Sequence, residues 1–114
     1  MRYAVALTTQ LLKGFAMWLE TITVRTPSLA RLKERLPELL WQLEADSPGL
    51  AVEVYTRFPN SSDLSLHLTH ESEPIQRSVH GLRLAAALAS FGTVDHALWL
   101  PAPASTRASQ SPPG

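Results

Sequence analysis

The chain has 114 residues, 45% hydrophobic and 18% charged, and its ten Lys and Arg balance ten Asp and Glu to a formal net charge of zero. That composition suits one small globular domain, and with no block of like charges it lacks the electrostatic footprint for nucleic acid or anionic lipid, so neither is expected as a partner. The absence of Cys excludes disulfides, thiolate metal sites, iron–sulfur clusters and cysteine nucleophiles, leaving packing to supply stability and a reducing cytoplasm as the expected compartment.

Residues 1–16 carry a loose helical pattern (Val5, Leu7, Leu11, Leu12, Phe15) without a cap, and strong patterning starts only at Met17. They read as an N-terminal extension to a domain spanning 17–100. No apolar run approaches the roughly 18 to 20 residues that cross a bilayer, and no convincing signal peptide is present. Trp18 to Val24 is rich in β-branched and aromatic residues and reads as a strand, stopped by Thr26-Pro27-Ser28, which also offers an N-cap. Leu29, Leu32, Leu36, Leu39, Leu40 and Leu43 then recur at helical spacing opposite Arg31, Lys33, Glu34, Arg35, Glu38 and Glu44. Pro37 is expected to kink this helix or restart it.

Asp46-Ser47-Pro48-Gly49 ends the helix, and Leu50 to Phe58 alternates as a second strand. A short loop, Pro59 to Asp63, leads to Leu64-Ser65-Leu66-His67-Leu68-Thr69-His70, whose period of two marks a third strand paired antiparallel to the second. Glu71 to Pro74 resembles a helix start, and Ile75, Val79, Leu82 and Ala86 define the expected inner face of a second helix ending at Phe91-Gly92. Val94 to Leu100 closes the domain as a fourth strand. From Pro101 onward the chain holds four of its nine prolines and no large apolar residue, a composition that reads as a disordered tail over 101–114.

A β-α-β-β-α-β order in one α+β domain points to the ferredoxin-like arrangement, a four-stranded antiparallel sheet with both helices on one face. One set of alternating positions (Trp18, Ile22, Val24, Leu50, Val52, Val54, Leu64, Leu66, Leu68, Leu98, Leu100) is the expected core face. The opposite set holds Leu19, Thr21, Thr23, Ala51, Glu53, Tyr55, Arg57, Ser65, His67, Thr69, Asp95, Ala97 and Trp99, a mixture of aromatic, small and ionisable groups. On that face His67 and Tyr55 are the candidate acid–base residues, with Asp95 and Glu53 as proton acceptors. Trp99, Arg57 and Thr21 are candidate substrate contacts. The same residues are equally explained as cross-strand pairs and interface salt bridges, and Trp99, Trp18 and Trp41 as packing residues. His67 and His70, three apart on a strand, project to opposite faces, so no metal site is expected. No Gly-rich phosphate loop or G-x-S-x-G elbow occurs.

The element order, together with His80-Gly81-Leu82-Arg83-Leu84-Ala85-Ala86-Ala87-Leu88-Ala89-Ser90-Phe91-Gly92-Thr93-Val94-Asp95-His96-Ala97-Leu98-Trp99, resembles the antibiotic biosynthesis monooxygenase-like family of dimeric α/β barrels. The resemblance covers Met17 to Leu100 and implies a homodimer packed sheet to sheet, with a pocket between each sheet and its helices or loops. Members include cofactor-independent oxygenases of electron-rich phenols, quinol oxygenases and haem-degrading enzymes. Where the oxygenases and haem degraders carry an Asn near the first strand, this chain offers Glu20, Thr21 and Thr23, so no catalytic set transfers. His80 lies on the helix where haem-degrading relatives place an iron ligand, but one histidine makes no haem site, and no cofactor or metal is expected. The implied function is cofactor-independent monooxygenation of an aromatic or phenolic small molecule; the alternative is a non-catalytic dimeric barrel for binding or scaffolding.

Overall fold

The computed structural model describes residues 17–59 and 62–102. Residues 1–16, residues 103–114, and Asn60 and Ser61 in the hairpin loop lie outside them, and with them the extension and most of the tail. Six elements follow in the expected order: β1 (Trp18–Arg25), α1 (Leu29–Asp46), β2 (Ala51–Thr56), β3 (Asp63–His70), α2 (Val79–Leu88) and β4 (Thr93–Trp99). The strands form one sheet in the order β2-β3-β1-β4, every neighbouring pair antiparallel, which is the ferredoxin-like arrangement. No helix among the described residues is long and apolar enough to cross a membrane.

The alternation of β1 and β3 fixes the core. Ile22 and Val24 and, beside them, Leu64, Leu66 and Leu68 form one buried cluster with Leu32 and Leu43 of α1 and Leu84 and Leu88 of α2, and Trp18 on the same face is buried as well. Each such side chain contributes about 1.5–3 kcal/mol on burial. The core set expected from sequence is too wide at its margins: Val54, Leu98 and Leu100 are exposed. They stand on or just beyond the edge strands β2 and β4, at the margin of the helix layer.

Both helices depart from expectation in instructive ways. α1 runs unbroken through Pro37. Pro37 and Lys33, whose carbonyl loses its partner, are both exposed, so the orphan group is not buried without a partner. Ser28 occupies the N-cap position without a side-chain cap bond; its own N–H instead donates to Thr26 Oγ1 at 2.9 Å. α2 begins at Val79 rather than near Pro74, because the Ser78 hydroxyl accepts from Gly81 N at 2.9 Å and sets the cap there. Its inner face is therefore Gly81, Leu84 and Leu88, while Val79 and Leu82 stay exposed and Ile75 precedes the helix. Gly92 is not the helix stop, since α2 ends at Leu88 with Ala89 as C-cap. A Cβ at Gly92 would collide with the Arg25 carbonyl, so the glycine permits a close approach of two backbones.

Candidate functional site

On the sheet face away from the helices, the registers align three rows across β2, β3, β1 and β4: Glu53–His67–Thr21–Ala97, Tyr55–Ser65–Thr23–Asp95, and Ala51–Thr69–Leu19–Trp99. Three of the candidate residues meet. The Tyr55 and His67 rings lie 4.5 Å apart, Tyr55 Oη donates to Glu53 Oε1 at 2.8 Å, and His67 Nε2 is 3.0 Å from Ser65 Oγ. The hydrogen bond to Glu53, and then its charge, hold the Tyr55 phenol above its ordinary ionisation range. Trp99 Nε1 donates to Thr21 Oγ1 at 2.8 Å, laying an exposed indole over a buried threonine. Arg57 and Asp95 do not bond to any of these residues. Arg57 is bonded to Asp63 at 3.2 Å, as is Arg25 at 3.1 Å, so within the chain neither pairs with Glu53 or Asp95. Asp95 is exposed, sits three strands from Tyr55, and makes no ion pair or side-chain hydrogen bond among the described residues. A shallow cleft of about 220 Å³ lies beside this patch, lined by Thr23, Tyr55, Thr56, Arg57, Asp63 and Ser65.

The helix side holds a second and more enclosed cluster. The period of two that buries Trp18 and Ile22 also turns Glu20 inward from β1, where it is fully buried. Burying an unpaired carboxylate costs several kcal/mol, and here four donors surround it. Oε1 accepts from His70 Nε2 at 2.8 Å and from Ser78 Oγ at 2.7 Å. Oε2 accepts from His96 Nε2 at 2.6 Å and from the Ser78 backbone N–H at 3.0 Å. The two histidines come from the strands on either side of β1, and Ser78 from the start of α2. Gly81 lets that helix approach, since a Cβ there would fall on the carboxylate. Trp18 stacks on His70 with ring centroids 4.3 Å apart and donates its Nε1 hydrogen to Ser72 O at 2.9 Å.

Burial alone would push the Glu20 carboxyl up, but the combined hydrogen bonds from Ser78, His96 and His70 outweigh it and hold the group below its ordinary value. Each carboxylate oxygen of Glu20 already accepts two hydrogen bonds, an arrangement that favours the charged form and leaves the group badly placed to take a further proton. What it does is orient two imidazoles. An Nε2–H donated to a carboxylate leaves Nδ1 as the basic atom of a neutral ring. Neither Nδ1 has a hydrogen-bond partner among the described residues. Among those residues no group of three or more His, Cys, Asp or Glu is arranged to hold a metal ion.

Glu20, His70, His96 and Ser78 are absent from the set that sequence reasoning selects, although a signal exists. Glu20 falls in phase with Trp18, Ile22 and Val24; His70 with Leu64, Leu66 and Leu68; His96 with Val94 and Leu98. Three ionisable residues in phase with the core, on three adjacent strands, mark a buried polar network.

No protein-family profile and no curated protein matches the chain. Among solved structures it is similar to Rv0793 from Mycobacterium tuberculosis, at 18% identity and a TM-score of 0.54 over 76% of this chain and 96% of that one. At that identity the likeness shows the fold, a four-stranded antiparallel sheet covered by two helices.

Proposed function

We propose that the chain is an antibiotic biosynthesis monooxygenase-like protein of the cytoplasm, a homodimer packed sheet to sheet, that oxygenates an electron-rich phenolic small molecule without a bound cofactor. The observation that carries this reading is the buried Glu20 carboxylate presenting two imidazoles by their Nε2 atoms. Removing the proton of a phenol gives an anion that yields electrons to dioxygen more readily, and proton removal is the step such a carboxylate–imidazole arrangement supplies. The dimer is supported by the uncovered sheet face, where Tyr55 is 47% and Trp99 57% exposed beside Leu19 and Ala97. In that assembly His67, Tyr55, Glu53, Thr21 and Trp99 line the seam, flanked by Arg57 and Asp95.

One observation favours the alternative, a non-catalytic dimeric barrel for binding or scaffolding: Tyr55, Glu53, His67 and Ser65 are bonded to one another, as an interface network would be. Light scattering of the full chain, with oxygen uptake followed across a panel of anthrone-like and quinol-like phenols, separates the two. We expect twice the 12.5 kDa chain mass and uptake that Glu20→Gln abolishes. A dimer inert toward the whole panel selects the non-catalytic barrel, and a monomer removes both.

A further inference from the structure

We infer that His70 is the proton-accepting residue of the buried cluster, taking the proton of an uncharged aromatic hydroxyl on its Nδ1, while His96 is a positioning residue that acts through Glu20. The inference rests on the acid–base reading above and assigns its parts. Glu20 is excluded as acceptor by its four donors, which leaves two imidazoles. They differ in access: the His70 side chain is 14% exposed and that of His96 6%. His70 is the last residue of β3, at the end of the sheet, whereas His96 lies mid-strand in β4 opposite Ile22.

Their surroundings differ as well. Trp18 lies nearly parallel to the His70 ring, at 25°, and its indole is fixed by the bond to Ser72 O. When Nδ1 takes a proton, the imidazolium has the Glu20 carboxylate at 2.8 Å on its other nitrogen and an indole face against its ring, both attractive to a cation. His96 has only the carboxylate, at 2.6 Å, and the backbone carbonyl of the same residue is held by Arg77 Nη2 at 3.3 Å. The α2 residues that face the carboxylate are Ser78 and Gly81, which bring no charge. The buried carboxylate of Glu20 disfavours a second negative charge beside it and so selects a neutral hydroxyl compound over an aromatic carboxylate. In the step itself the O–H bond breaks, its electron pair stays on oxygen and the proton bonds to Nδ1, giving an aryl oxyanion and an imidazolium with no change in total charge.

The test uses the full chain and 4-nitrophenol, whose neutral and anionic forms absorb at different wavelengths. Below the pH at which the free probe ionises, native protein should produce the phenolate band. His70→Gln should bring that band down to the level of the free probe at the same pH, because no imidazolium is left to hold the proton beside the anion. His96→Gln should keep it and shift the pH at which it appears. Imidazole nitrogen NMR of the native protein needs no variant and should find neutral His70 protonated at Nε2 alone. A His70 protonated at Nδ1, no phenolate band with native protein, or a band unaffected by His70→Gln overturns the assignment. A His70-dependent band without oxygen uptake on any phenol keeps the assignment and removes the oxygenase reading; uptake that survives His70→Gln does the reverse.

Discussion

Replacing Gly81 by Ala adds one methyl group at the point where α2 meets Glu20, and the structure fixes what that methyl encounters. The nearest atoms are both carboxylate oxygens and the carbon between them. In most buried sites a neighbouring side chain would swing aside, but this one is fully buried and held by four donors from three directions. Either α2 lifts from the sheet or the carboxylate abandons a partner. Overpacking costs about 1–3 kcal/mol and each lost charged hydrogen bond about 1.5–3 kcal/mol, against at most about 1 kcal/mol returned by the better helix propensity of Ala. The expected net loss is about 2–4 kcal/mol, or a fall in Tm of about 10–25 °C for a domain of this size. Urea and thermal denaturation followed by circular dichroism measure it. Gly49→Ala is the control: its φ of 88° strains any L residue, but nothing lies within 4 Å of the added carbon, so only about 1 kcal/mol should be lost. In a Glu20→Ala background the Gly81→Ala cost should fall below about 1 kcal/mol, because the clash and the network go together. A Gly81→Ala protein as stable as the native one, or more so, would refute the placement of helix and carboxylate.

Three further outcomes follow from the same geometry. Because the folded-state pKa of Glu20 lies below its ordinary value, its contribution to stability is present above the unfolded glutamate pKa of about 4.3 and is lost as pH falls through the folded value. Native protein should therefore lose stability more steeply in acid than Glu20→Gln, which should be several kcal/mol weaker at neutral pH, and parallel acid profiles would contradict this. Glu53→Gln should let Tyr55 ionise at lower pH, nearer the ordinary tyrosine range, as read by ultraviolet titration. Gly92→Ala should cost more than Gly81→Ala, since its Cβ meets the Arg25 backbone carbonyl, which cannot rotate away; equal or smaller loss in urea would contradict the approach of these two segments.

The fold was legible because hydrophobic period is a property of single segments. The two leucine periods of α1 and β3 and the alternation of β1 specify which residues face inward without reference to anything distant. Element limits were less legible where a tertiary contact decides them. Nothing local to residues 71–78 says that the helix waits for Ser78; the Ser78 hydroxyl and N–H are claimed by a carboxylate 58 positions earlier. The open-face residues fell on the face assigned to them, and Tyr55, Glu53 and His67 do meet, because sheet register follows from the hairpin and the period. The Glu20 cluster escaped for a different reason. A core listed by its apolar members skips the charged residue among them, and pairing Glu20 with His70 and His96 requires knowing that β1 lies between β3 and β4.

Glu20 also bears on how the molecule opens. Helix N-termini are ordinarily where fraying begins, since their first N–H groups lack intrahelical acceptors. At α2 the Ser78 N–H ends on Glu20 and the Gly81 N–H ends on the Ser78 hydroxyl, itself bonded to Glu20. Pulling this turn free would strand a carboxylate between two strands with half its donors gone, so these two amides open only with the sheet itself. In native-state hydrogen exchange the start of α2 should therefore fall in the slowest class and α1, which packs on the core through its leucines, should exchange earlier.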